Sequence, residues 1–353
     1  MRYAVPREIG SEFHWDPAFL SAAGDDWLPA RHELYATGCG ALSSLLRHLN
    51  PLGHLHIPSY FCMGVAEALA ADVPIAFYRH LPDDGGPQWE TLHARDGDVV
   101  LAQNLFGRDE GEPWNDWMAA HPGVTVVEDH SHDPLSAWAR ASRAPYAIAS
   151  MRKTLPVPDG GLMWSPTGRE IPRPEGRAGD GAQLKLAAML LKSAWLDGRP
   201  VHKEAFRALQ QRGERTLLGS AGPASPFTAA VLPLLDAKGL RQRGIDNALA
   251  LAAEAPVRAG PFRAQFLCFS TTERDALLRH LAAEGIYAPV HWRQDPEGLW
   301  SGDDEAAELA ACMLTIPVDH RCSADDVRRI GKALLAFGWP AEPGPAPSPA
   351  PAA

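Results

Sequence analysis

The stretch "VTVVEDHSHDPLS", Val124 to Ser136, decides how this chain is read. An apolar and β-branched run up to Val127 has the composition of a buried strand, and it passes directly into two acids, two histidines and a third acid. Two readings compete. His130-Ser131-His132-Asp133 packs metal-ligating side chains into four residues, and a His-x-His pair on a strand points both rings to one side. A polar cluster at the end of a buried strand also marks the place where a parallel sheet opens a ligand cleft. The rest of the chain has to choose between them.

The chain has 353 residues, 46% hydrophobic and 22% charged, which is enough apolar material for one large domain and a smaller one. Its 43 acids against 33 bases leave a formal charge of −10, an unfavourable balance for nucleic acid or an anionic membrane, so a small molecule is the expected partner. The opening "MRYAVPREIGSEFHW" lacks the apolar core of a secretory leader, and no segment reaches the roughly 20 apolar residues of a membrane span. A cytoplasmic protein is expected. The five cysteines, Cys39, Cys62, Cys268, Cys312 and Cys322, are scattered, odd in number and without CxxC spacing, and so read as free thiols.

Working outward from the opening stretch, apolar runs alternate with helical patterns from Gly38 to Trp164, the sign of βαβ units and a mostly parallel sheet. "GCGALSSLLRHL" reads as a glycine turn entering a helix. "HLHIPSYF", "VPIAFYRH", "DVVLAQNLFG" and "GVTVVEDHS" read as strands, with "GVAEALAAD" a helix between the first two. "YAIASMRK" and "GGLMWSP" form a strand, a turn and a return strand. One helical texture follows from about Asp180 to Leu218, then a loop at "GSAGPASP", then "FTAAVLPLLDAKGLRQRGIDNALALAAEA" as one long helix kinked at Pro233. A smaller α/β unit closes the chain with "AQFLCFSTT", "ERDALLRHLAAEG", "MLTIPVD" and a capped helix "SADDVRRIGKALLAFG". The expected division is an N-terminal arm at 1–30, a large cofactor-binding domain at 31–230, a small C-terminal domain at 231–339 and a disordered Pro/Ala-rich tail at 340–353.

Strand ends now supply Thr37-Gly38-Cys39-Gly40, Ser59-Tyr60-Phe61-Cys62, Gln103-Asn104 and Asp129 to His132, and "SMRKTLPVPDGG" adds Lys153. A glycine turn opening a helix offers unpaired N–H groups and a positive dipole end, a cradle for phosphate. An acid at a strand end can pair with a pyridinium nitrogen, and a lysine held in a loop can condense with an aldehyde. Pyridoxal phosphate needs all three, and they occur here in chain order.

In these segments the chain resembles the pyridoxal-phosphate enzymes of the aspartate-aminotransferase fold, and within them the sugar-aminotransferase-like DegT/DnrJ/EryC1/StrS family. The resemblance runs roughly from Gly10 to Leu335 and is carried by "YATGCGALSSLL", "IPSYFCMGV", "AQNLFG", "VVEDHSHDPLS", "ASMRKTLPVPDGG", "APVHW" and "LTIPVDHRCSADDVRRI". It implies an α/β fold of type I: a three-layer α/β/α large domain with a mostly parallel sheet, and a smaller C-terminal α/β domain. It also implies an aminotransferase that passes an amino group from a small-molecule donor to a keto acceptor in a biosynthetic pathway, working as a homodimer. Lys153 would be the Schiff-base lysine, Asp129 the partner of the pyridine nitrogen and His132 a donor near the ring's phenolic oxygen. Gly38, Cys39, Gly40 and Ser150 would hold the phosphate, Tyr60, Phe61 and Cys62 would cover one face of the ring, and Asn104, at the adjacent strand end, would also bind the cofactor. The opening stretch then holds a cofactor and no metal.

Three further expectations complete the reading. Lys153 should be partly desolvated with a lowered pKa. His291 and Trp292 are expected to line the substrate entrance, with Arg293 either clamping a carboxylate or phosphate or standing on the surface. The family's Asn-Tyr-Arg-type segment before the connecting helix is missing, and "GSAGPASPFTAAV" stands there, which leaves the inter-subunit half of the phosphate site unaccounted for and argues against a nucleotide-sugar substrate. The other readings are a cofactor enzyme of another reaction type (elimination, decarboxylation or oxidation), a binding protein on the same fold, and a metal-dependent hydrolase built on His130, His132 and Asp133.

Overall fold

The computed structural model describes residues 8–21, 26–51, 53–82, 85–295 and 297–337. After β1 (Ile9–Gly10) and β2 (His32–Tyr35), helix and strand alternate: α1 (Gly38–Leu49), β3 (Leu55–Pro58), α2 (Met63–Leu69), β4 (Ile75–Tyr78), β5 (Val99–Gln103), α3 (Glu112–Ala120), β6 (Thr125–Asp129), α4 (Ala137–Ala141), β7 (Tyr146–Ser150) and β8 (Gly161–Trp164). Seven of these strands form one sheet in the order β2-β8-β7-β6-β5-β3-β4. Strands β3 to β7 are parallel, and β8 alone runs against its neighbours.

The sheet is buried on both faces, which is why its strands read as unbroken apolar runs. Along β5, Val99 and Leu101 pack with Leu42 and Leu45 of α1, while Val100 and Ala102 pack with Trp114 and Trp117 of α3. Because β2 and β7 run in the same sense, the carboxyl ends of β2, β3, β5, β6 and β7 share one edge. Crossovers that place helices on both faces leave a crevice at that edge, where ligands bind in open α/β sheets.

The chain continues through α5 (Asp180–Leu196), α6 (Lys203–Leu217), α7 (Pro226–Val231), α8 (Ala237–Glu254), β9 (Arg258–Ala259), β10 (Arg263–Leu267), α9 (Thr271–Ala283), β11 (Ile286–Tyr287), α10 (Asp304–Cys312), β12 (Met313–Pro317) and α11 (Ala324–Ala336). A second sheet has the antiparallel order β12-β10-β9. Ala264 and Phe266 of β10 enter a core with Leu251 of α8, Leu277 of α9 and Ile330 of α11. The alternate residues Arg263 and Gln265 therefore face the other way. Within α8, Ala237 and Leu240 pack with Leu155 and Trp164 of the first body, and Ala248 and Leu251 pack into the second. Strand β1 pairs with β11, which draws the start of the chain across to the second body.

Two helices expected as single pieces are each broken. The 180–218 stretch splits where Gly198 takes φ +76° ahead of Pro200. The 227–255 stretch is interrupted and not merely kinked. Pro233 lies in a short 3-10 turn, Leu235 is extended and bridges to Leu20, and Asp236 caps the new helix by accepting from the Gly239 amide at 3.0 Å. A partner for the chain at Leu20 outweighs continued helix once proline has removed a donor. The tail expected at 340–353 lies outside the described residues. No helix among the described residues is long and apolar enough to cross a membrane.

Candidate active site

Strand β6 ends at Asp129, and the Asp129 carboxylate closes a turn there by accepting from the Ser131 amide at 2.8 Å. This turn corrects the expectation that His130 and His132 share one side, because strand alternation stops before it reaches His132. The His130 ring goes to the α3 and α4 face. There its Nε2 meets the Glu128 carboxylate at 2.9 Å, and the ring packs edge-on to Trp138 and parallel to Trp164. Asp133 is held by a bidentate Arg241. Among the described residues no group of three His, Cys, Asp or Glu side chains is placed to hold a metal.

His132 turns instead into the crevice, buried, with its ring stacked against Phe106 and Trp292 at 5.2 and 5.3 Å between centroids. Its Nδ1 accepts from the Phe106 amide at 2.8 Å, so the neutral ring carries its proton on Nε2. That Nε2 is buried and has no protein partner. Burial holds the imidazole well below its ordinary pKa, with the charges of Lys153 and Arg263 acting in the same direction. Phe106 makes this contact in a left-handed conformation, φ 53° and ψ 16°, at a cost of about 1 kcal/mol or more for a residue with a β-carbon.

Lys153 stands one turn past β7, in a 3-10 turn over Met151–Lys153. Its Nζ lies 5.5 Å from the centre of the Trp292 ring. Burial lowers its pKa from the ordinary lysine value, the charges of Asp129 and Cys62 oppose that shift, and Arg263 and Arg152 add to it. The amine, the Asp129 carboxylate and the His132 ring thus sense one another at a single edge. The expected desolvation of Lys153 is present.

Helix α1 starts at the same edge. Thr37 caps it, accepting from the Gly40 amide at 2.9 Å, which leaves the Gly38 and Cys39 amides of the first turn for another acceptor. Gly40 serves close approach: a β-carbon there would lie 2.0 Å from the Ser220 carbonyl oxygen. At Gly38 a β-carbon would come within 3.0 Å of Ser150 Cβ, so Ser150 does lie against the start of the helix. The segment standing in the missing motif's place runs along β2, with Ala36 donating to Gly222 O and Ala224 donating to Leu34 O, both near 3 Å.

The remaining expected residues divide. Cys62 lies close enough for its thiol to act on Lys153, and Tyr60 packs its ring against Phe106 and Trp292 while its hydroxyl donates to the His291 carbonyl. Phe61 turns into the core beside α1 and α2. Asn104 is consumed by the loop, bonding Ser136 and the Asp109 amide. His291 bonds Thr315 at 2.9 Å and has its pKa pushed down to about 3 by burial and by Arg263 and Lys153. Arg293 leaves the site: its side chain is 61% exposed and sits 3.7 Å from Asp275.

Against Lys153 opens a cavity of about 490 Å³, walled by Arg152, Arg263, His291, Trp292, Thr315 and the arm residues Gly10–Phe13. Nothing in the local sequence marks Arg263, Arg152 or Phe106 as site residues, and the N-terminal arm carries no sign that it reaches the cavity. For Arg263 the one trace is that it heads a strand whose alternate residues Ala264 and Phe266 are apolar. It carries meaning only once the second sheet is known to turn that face to the crevice.

No protein-family model and no curated sequence matches the chain. Solved structures do. Helicobacter pylori PseC, an aminotransferase involved in the biosynthesis of pseudoaminic acid, superposes with TM-score 0.59 at 15% identity, covering 88% of this chain and 88% of that one. The putative sugar aminotransferase Spr1654 from Streptococcus pneumoniae, in its PMP form, gives TM-score 0.58 at 15% identity over 88% and 86% of the two chains. DesI, solved with its TDP-sugar product, gives 0.58 at 18% over 87% and 80%. The chain has the α/β fold of these type I proteins, as its sequence resemblance implies.

Proposed function

We propose that this chain is a pyridoxal-phosphate-dependent aminotransferase that moves an amino group from a small-molecule donor to a keto acceptor in a biosynthetic pathway. The observation that carries the reading is the meeting of Lys153, Asp129 and the unpartnered Nε2–H of His132 at the edge where helix α1 begins. These groups fit the cofactor. A buried donor without an acceptor calls for one, and the Gly38 and Cys39 amides suit a phosphate. The named functions of the structural neighbours support the same reading.

Pyridoxal phosphate, when bound, supplies an electron sink for a bond broken at the substrate's α-carbon. Asp129 would keep a proton on the pyridine nitrogen, and His132 would donate to the phenolic oxygen from Nε2. Lys153, with its lowered pKa, reaches the amine form more readily than a solvated lysine and would hold the cofactor, then take and return the α-proton. Trp292 and Phe106 stack beside it and would limit the approach of water. Five free thiols accord with a cytoplasmic setting, and a homodimer would cover exposed apolar side chains such as Leu218 and Leu190.

The test is the visible spectrum of the purified protein, before and after borohydride, repeated on Lys153→Ala. The expected result is an absorbance band that reduction fixes covalently to Lys153, that amino donors bleach, and that the variant lacks. Amino transfer by the variant should fall at least about 10³-fold. A protein that stays colourless with added pyridoxal phosphate overturns the proposal.

A further inference from the structure

Away from the crevice, the second sheet sets two thiols face to face. In the antiparallel pairing of β10 with β12, Leu267 lies opposite Met313, so the next pair outward is Cys268 and Cys312, and the Cys268 amide donates to the Cys312 carbonyl at 3.1 Å. Residues bonded across such a pair point to one face with their Cα atoms about 5.5 Å apart, inside the span of about 4.4 to 6.8 Å that a disulfide bridges. Both side chains are buried, yet both line a cavity of about 290 Å³ together with Leu81, Phe269, Glu305 and Glu308. Arg274 of α9, itself buried, acts on both thiols; its Nε stands 2.9 Å from Asp275, and its Nη1 has no partner among the described residues. The chain between the two cysteines holds α9, β11 and α10, and its Leu278, Ala282, Tyr287 and Trp292 stand on the wall of the 490 Å³ cavity. The residue after Cys312, Met313, meets the Tyr60 hydroxyl with its sulfur at 3.5 Å.

We propose that Cys268 and Cys312 are an oxidisable dithiol, which hydrogen peroxide closes into a disulfide that fastens the cavity wall carried between them. One thiolate attacks a peroxide oxygen and breaks the O–O bond, which leaves a sulfenic acid and, with the thiol's own proton, one water. The facing sulfur then forms the S–S bond and displaces the sulfenic hydroxyl as a second water. Two thiols thus lose two electrons and two protons, and one peroxide is reduced. Burial raises both thiols, that of Cys268 to about 12; the carboxylates of Glu273 and Glu308 add to the shift, and the Arg274 guanidinium opposes it. Thiolate is therefore scarce at neutral pH and closure is slow. The finished disulfide resists reopening for the same reason, because its sulfurs are poor leaving groups. Glu305 and Glu308 on the cavity wall also repel anionic reductants, whereas peroxide is small and uncharged. In a reducing compartment such a bond forms under oxidative load and serves as a signal of it.

The experiment treats the full-length protein, incubated with pyridoxal phosphate, with excess hydrogen peroxide, then alkylates the remaining thiols and maps the peptides by mass. The expected product is a peptide linking Cys268 to Cys312, lighter than its two parts by two hydrogens and reopened by dithiothreitol. Amide hydrogen exchange across α9 and β11 should slow at least about tenfold in the linked protein and recover on reduction. Cys312→Ser should give neither the link nor the slowing. Cys39 and Cys62 also sense one another, beside Lys153, and supply the internal comparison. A link between Cys39 and Cys62 with Cys268 and Cys312 still open to alkylation overturns the proposal. So does conversion of Cys268 or Cys312 to a sulfinic acid without a link, or a link that leaves exchange across α9 and β11 unchanged. The map and the exchange rates of the unmodified protein decide the matter even where Cys312→Ser folds poorly.

Discussion

Lys153 reaches the crevice from the carboxyl edge of a seven-stranded sheet, whereas Arg263 reaches it from the first residue of β10 in a sheet of three. The first region gathers its groups from strand ends that neighbouring strands hold in register, and its polar contacts are short and local: Asp129 to Ser131, Thr37 to Gly40, Ser150 to Ser131. The second is assembled from segments far apart in the chain, the arm, α9, β11 and β12, and meets the first mainly through side chains. A backbone-built edge preserves its geometry while side chains on the facing wall vary. Chemistry should therefore be the steadier property of this molecule and substrate choice the more easily changed one.

The largest effect that sharpens this contrast is expected at Asp129→Asn. The amide still accepts from the Ser131 N–H, so the turn survives, but the negative charge is gone; amino transfer should fall about 10³-fold with little change in unfolding midpoint. A loss below tenfold in steady-state rates would break the assignment of Asp129 to the cofactor.

The two histidines give the next test. His130→Leu leaves the buried Glu128 carboxylate without its partner and should cost about 3 kcal/mol in urea unfolding while the visible band stays in place. His132→Leu removes the acceptor of the Phe106 amide, at a cost of about 1–3 kcal/mol, and unlike the first variant it should displace the band and lower transfer. Identical behaviour of the two variants would erase the distinction drawn at the end of β6.

The smallest effect is in pH. Burial puts His14 and His320 at about 4 in the folded chain, below the ordinary histidine value of about 6.5. Between those values the unfolded chain binds more protons than the folded one. The stability these rings allow is therefore complete above about pH 6.5 and is lost as pH falls toward 4, by at most about 1.4 kcal/mol per pH unit for each ring. His320→Phe, in a ring already stacked on Phe13, should flatten the slope by about one proton between pH 6.5 and 4, read as urea midpoints across that range. An unchanged slope would remove His320 from the account.

The same contrast explains what the sequence reveals. The strands of the large sheet are apolar runs of four or five residues that end in polar groups, and every one from β3 to β8 is legible, together with the glycine entry to α1 and the places of Asp129 at the end of β6 and Lys153 just past β7. Period-2 reasoning fails at His130 and His132 because the Asp129 side chain ends the strand one residue too early for it. The break at Leu235 is hidden because its cause is Leu20, more than two hundred residues away. Arg293 looks like an anion clamp by its neighbours in sequence, but its side chain is 61% exposed and lies 3.7 Å from Asp275, a placement set by tertiary contacts that the local sequence does not carry. Two-residue strands such as β1 and β11 carry no periodicity at all.

The pairing of β1 with β11 has a practical side. Gly10 to Phe13 form part of the cavity, and Lys192 and Arg321 tie the arm down by donating to the Glu12 carbonyl at 2.6 and 2.9 Å. The segment from Gly10 to Phe13 is therefore working surface. Protein clipped by a protease after Phe13, or carrying a purification tag pressed against Glu8, would report the binding preferences of a cleft with one wall removed.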